Sequence, residues 1–102
     1  MLVHLLARPL ASTSHIPAGE IHCLADALRA GGIEVVEEID SIAGRQRARS
    51  AAAERAPELA QAWQERRPDL VHAFGVVATM TAVRAAALLP HGQHIPVVAT
   101  FD

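Results

Sequence analysis

The residues that could do chemistry are few, and the best placed sit at one junction. In Arg66-Arg67-Pro68-Asp69-Leu70-Val71-His72-Ala73-Phe74-Gly75, an apolar run carries one histidine and stops at a glycine. No charge follows before Arg84. A glycine at the end of a strand lets backbone or ligand approach closely. The free amides that open the next helix can receive an anion. The competing reading of Gly75 is a tight strand-to-helix turn. By alternation His72 shares a face with Leu70 and Phe74, which makes a hydrogen-bonded core histidine its default. Gly19 precedes a helical pattern, so backbone amides there could meet a phosphate, although neither GxGxxG nor GxxxxGK[ST] is present. Arg8 follows the first apolar run and brings a cation to the same end of the chain's strands.

Other polar clusters point away from chemistry. His91 and His94 form H-x-x-H in a turn-rich loop with no carboxylate close in sequence. Metal centres need three or four ligands and a rigid surround, so a solvated loop is expected and no metal. Cys23 lies beside the apolar face of a helix and is expected to be a buried, inert thiol. Arg45, Arg47, Arg49 and Arg55 mix with Glu54, Glu58 and Glu65, and Trp63 is the one aromatic residue near them. That pattern reads as a solvated helix face, and no nucleic-acid binding is expected from it.

The elements that must position these residues alternate in type. Residues 2–6 read as a buried strand, ended by Arg8-Pro9. Residues 9–18 read as a loop. Ile21, Leu24, Ala25 and Leu28 mark one face of a helix that closes at Gly31-Gly32. Ile33 to Ile39 reads as a second strand, and its three glutamates place it near a sheet edge. Asp40-Ser41 can cap a polar second helix, which Pro57 is expected to interrupt. Leu59 and Trp63 give that region a small buried face. Leu70 to Phe74 is a third strand. Val76 to Leu89 is a third helix, apolar nearly all round and so expected to be buried. Val97 to Phe101 is a fourth strand. The order βαβαβαβ is the signature of an α/β, three-layer Rossmann-like domain with a four-stranded parallel sheet. Right-handed crossovers make 2-1-3-4 its strand order, with a ligand crevice beyond strands one and three.

Composition agrees with one small domain. The chain has 102 residues, 51% hydrophobic and 20% charged, with a net charge of -2. Chains of this size bury about two thirds of their unfolded surface. The charge gives no global attraction to nucleic acid or anionic lipid. The single cysteine excludes an internal disulfide and suggests a reducing compartment. No signal segment or membrane-spanning run is evident. The expectation is a soluble cytoplasmic protein.

Two stretches carry a family resemblance. "PDLVHAFG" (68–75), an Ala-rich helix and "IPVVATFD" (95–102) resemble the amino-terminal domain of GT-B glycosyltransferases, nearest to the retaining family 4 (group 1). The family pattern there is P-D-[VI]-[VI]-H-x-H-G, then [IV]-P-[VL]-V-x-T-x-H. "LADALRAGGIEVVEEI" (24–39) is similar to the family's L-A-x-x-L-x-x-x-G-H-E-V. Phe74 stands at the second histidine of H-x-H. One glycine, Gly19, stands where the family has two. The resemblance implies residues 1–102 to be a partial acceptor-side domain of an enzyme that moves a sugar from a nucleotide-sugar to an acceptor with retention. No cofactor is implied; the nucleotide-sugar is substrate. Carried over by position, Gly19 matches the phosphate loop and His72 and Gly75 match the strand-three junction. Asp102 takes the family's histidine position near the sugar and is the catalytic candidate. Arg8 joins the binding set on charge alone. The family's donor domain, with its E-x7-E motif, is not in these residues, so the chain is expected to be inactive alone. An open fourth-strand edge further predicts a homo-oligomer of the isolated chain. The alternative is a small flavodoxin-like ligand-binding or assembly module without catalysis. A phospho-receiver is excluded, because Ala7-Arg8-Pro9 and Gly75 stand where clustered acids and an aspartate would be needed.

Overall fold

The computed structural model describes residues 1–8, 18–40 and 48–101. They form β1 (Leu2–Ala7), α1 (Ala18–Ala30), β2 (Glu34–Ile39), α2 (Ala48–Glu65), β3 (Leu70–Phe74), α3 (Val76–Ala87) and β4 (Val97–Thr100). All pairings are parallel and the sheet order is β2-β1-β3-β4. The expected α/β Rossmann-like topology is therefore the observed one. The Pro9–Pro17 loop, Ser41, Arg45, Arg47 and Asp102 lie outside the described residues.

β1 is central, and every one of its residues is buried. That is why it reads as a continuous apolar run rather than an alternating one. Val3, Leu5 and Ala7 face α1 and pack on Ile21 and Ala25. Leu6 faces the other way, into a larger cluster with Leu59, Trp63, Val71 and Ile95. Six alanines from α2, α3 and β3 complete that cluster: Ala56, Ala60, Ala73, Ala78, Ala82 and Ala85. Small side chains let α2 and α3 approach each other closely. β2 lies at one edge, as its glutamates suggest, and β4 lies at the other.

α1 ends where the twin glycines are. Ile33 N–H reaches the Leu28 carbonyl and Gly32 N–H the Arg29 carbonyl, while Gly32 takes φ 85. This is a Schellman closure with glycine at the left-handed position.

Three expectations fail. Pro57 does not interrupt the second helix; α2 runs unbroken from Ala48 to Glu65 with Pro57 inside it. Ala53 and Pro57 are both exposed. The carbonyl that Pro57 leaves without a partner therefore faces water, where the loss is tolerable. α3 is not buried all round. Val77, Ala78, Thr81, Ala82 and Ala85 are buried, but Val76 and Val83 are more than half exposed. One face meets the sheet and α2, and no described element covers the other. Finally, Cys23 is an exposed thiol, because Ile21 and Ala25 take the buried stripe of α1 and turn residue 23 outward. No helix of the described residues is long and apolar enough to cross a membrane.

Candidate functional site at the carboxyl end of β3 and β4

Period-two alternation sends Val71 and Ala73 inward and leaves Leu70, His72 and Phe74 half-buried on the α1 side. Parallel register sets His72 against Val98 and Phe74 against Thr100. The two strands thus bring His72, Phe74 and Thr100 together on one face. His72 Nε2 and Thr100 Oγ1 are 2.7 Å apart, a hydrogen bond whose donor depends on the tautomer. The His72 ring stacks on Phe74, with centroids 4.2 Å apart and planes 13° from parallel. Partial burial holds the His72 imidazole below its ordinary value near 6.5, so it is neutral at pH 7. His72 is therefore a half-exposed residue with a threonine partner, not the core histidine that alternation alone suggests.

Gly75 closes the junction. Its φ is 92 and its ψ 172, a region that side chains avoid. Its N–H donates to the Thr100 carbonyl at 2.8 Å, which locks the start of α3 to the end of β4. Its carbonyl accepts from the Thr79 hydroxyl at 2.7 Å. Gly75, at the N-cap, has no side chain with which to cap the first turn of α3. The glycine is required by its backbone conformation.

Arg8 belongs to another part of the molecule. It is 9% exposed and leaves β1 toward α2 and α3. Its Nη1 donates to the Ala51 carbonyl at 2.8 Å and to Thr81 Oγ1 at 3.2 Å; its Nη2 donates to Asp40 Oδ2 at 3.2 Å. The guanidinium is a brace that joins the end of β1 to α2, α3 and the residue after β2. Gly19 lies in the exposed first turn of α1, and nothing stands within 4 Å of where a Cβ would be. Asp102 lies outside the described residues. The structure thus unites His72 and Gly75 and separates Arg8 from them.

Thr100, Phe74 and Thr79 complete the site, and sequence reasoning did not select them. Their signal was present: the strand "VVAT" alternates, so Thr100 shares a face with Val98. Only the pairing register, however, brings it to His72. His91 and His94 are exposed, and among the described residues no group of three or more His, Cys, Asp or Glu could hold a metal.

Among the described residues the site is neutral. An imidazole and a hydroxyl share one hydrogen bond, an aromatic ring lies beside them, and no cation of the described residues takes part. Such a set suits a hydroxyl-bearing, uncharged ligand better than a diphosphate. Comparison of the chain with protein-family models, with curated proteins and with solved structures finds no match.

Proposed function

We propose that residues 1–102 form the acceptor side of a retaining, nucleotide-sugar-dependent glycosyltransferase of GT-B type. The observation that carries this reading is the meeting of His72, Gly75 and Thr100 at one end of β3 and β4. All three come from the two motif stretches that resemble the family. The neutral chemistry of the site fits a sugar or alcohol acceptor, and a parallel sheet of this order binds ligands at this end. The donor nucleotide would be held mainly by residues outside this stretch, in a carboxyl-terminal domain of the intact enzyme. On this reading the chain is inactive by itself.

An NMR titration of the chain tests this. The probes are a methyl glycoside and UDP-glucose. The glycoside should shift His72, Gly75, Val76 and Thr100 with a millimolar Kd. A nucleotide-sugar Kd tighter than roughly 0.1 mM, about 5.5 kcal/mol, would overturn the acceptor-side reading, since half a site should not reach it. No shift at these residues with either probe would favour the assembly module instead.

That second reading has its own observation. Five large apolar side chains stand exposed along α3 and β4: Val76, Val83, Leu88, Val98 and Phe101. Among the described strands, β4 also keeps one side unpaired. Such an edge templates pairing with another chain. We infer that the isolated chain forms a homodimer there; a monomer by light scattering at high micromolar concentration would refute this.

A further inference from the structure

We propose that His4 and Trp63 form a proton-operated latch, which pins the indole of α2 against β1 while His4 is neutral and lets it go when His4 is protonated. The latch is independent of the sugar-acceptor reading and lies on the opposite face of the sheet from His72.

The hydrogen bond itself fixes the chemistry. Trp63 Nε1 stands 3.0 Å from His4 Nδ1. An indole nitrogen only donates, so Nδ1 must be bare and the imidazole proton must sit on Nε2. The rings meet edge to face, 6.0 Å apart at 83°. His4 is 6% exposed and its Nε2 has no hydrogen-bond partner. A second proton could enter only at Nδ1. There it would oppose the indole N–H, donor against donor, and the bond would break.

The surroundings keep His4 neutral until the medium turns acid. Glu38 from β2 lies 3.9 Å from Nε2, too far for a hydrogen bond but close enough to attract a proton. Arg55 from α2 is tied to Glu38 at 2.8 Å and repels one. Glu58 is occupied with Arg55. Glu65 and Arg66 line the cleft beside His4, and Arg66 pairs with Glu34 of β2. From β3, Val71 pairs with His4, and Asp69 bonds the Leu2 amide instead. The buried face of α3 is uncharged. Burial is the largest influence and holds the imidazole below its ordinary 6.5.

The mechanics follow from α2. It reaches the β1–β2 side through Arg55 to Glu38, Trp63 to His4 and the Ala51 carbonyl that accepts from Arg8, and its Leu59 and Ala60 share the core with Leu6. Pro57 lies between Arg55 and Trp63 and supplies no N–H to the turn before it. Proline is the commonest seat of a helix bend. Loss of the Trp63 strut therefore loosens the indole and the turn that carries it beside that proline, while Leu59, Ala60, Arg55 and Arg66 keep the helix itself in place. Beside the latch is a cleft of about 280 Å³, lined by Leu2, Val36, Ala62 and Pro68 with His4 and Trp63 themselves. Release would widen it and admit water to the indole.

Trp63 is the only tryptophan, so its emission reads the latch directly in the unmodified chain. The experiment follows emission, far-UV circular dichroism and histidine NMR from about pH 8 to about pH 5. His4 should be the Nε2–H tautomer at neutral pH and titrate below 6.5. Emission should shift to the red with the same midpoint, while the helical signal persists. His4→Gln, whose amide oxygen still accepts from the indole but does not titrate, should abolish the shift. An Nδ1–H tautomer, emission that stays constant while His4 titrates, or simultaneous loss of emission and helix would each overturn the latch. If His4→Gln fails to fold, the comparison of midpoints in the unaltered chain still decides.

Discussion

Single residues in this protein divide into those whose partners the sequence announces and those whose partners only the fold supplies. Gly75 belongs to the first kind, since a glycine between a strand and a helix already signals an unusual backbone. Arg8 belongs to the second. Its position after β1 was legible, but its direction depends on which face an even-numbered residue takes and on three acceptors far away in sequence. Arg8→Met removes all three hydrogen bonds, while Thr81 keeps its bond to the Val77 carbonyl and Asp40 already meets water. It should lower unfolding stability by about 1–3 kcal/mol in urea titration, the loss of bonds from a charged donor being offset in part by removal of a largely buried charge. His4 and His22 should titrate in opposite senses. The folded pKa of His4 is lowered, first by burial, so its contribution to stability is complete above 6.5 and is lost as the pH falls toward and below the lowered value. His22 is exposed and its pKa is raised, first by its hydrogen bond to Glu37 and then by Asp26; its contribution is present below 6.5 and disappears as the pH rises through the raised value. NMR titration of the two rings checks both signs at once, and equal midpoints would contradict this assignment.

At the scale of elements every strand and helix was legible, although β2 and β4 contain no buried residue and are marked instead by β-branched runs beside Gly32 and Pro96. The errors came where local rules yield to packing. Pro57 looked like a boundary, yet Ala56, Leu59, Ala60 and Trp63 bury one continuous stripe that outweighs a single missing hydrogen bond. Pro57→Ala restores that bond on an exposed face and should raise stability by about 1–3 kcal/mol in urea titration. An unchanged midpoint would mean that the helix already bends there without strain. Gly32 is the contrasting case. Its φ of 85 suits no other residue well, so Gly32→Ala should cost about 1–2 kcal/mol, although open space surrounds it. The apolar character of α3 predicts full burial, because composition does not distinguish a helix covered on all sides from one with a face left open.

For the whole molecule, the strand order followed from chain alternation and the handedness of crossovers, whereas the face on which each side chain works followed only from register. The open edge at β4 was legible from that order, and the exposed face of α3 lies beside it. If the exposed stripe of α3 and the edge of β4 serve self-association, Val98→Lys should move sedimentation from dimer toward monomer, and an unaltered profile would place the contact elsewhere. The central position of β1 has a different consequence, in time rather than in space. Its amides lie between two neighbours, so their protons can exchange with deuterium only when the sheet separates as a whole. Those of β4 are paired on one side and exchange through fraying. Leu5 and Val98 therefore serve as two clocks within one sheet: the slow one records global unfolding, and the fast one records only the loosening of an edge.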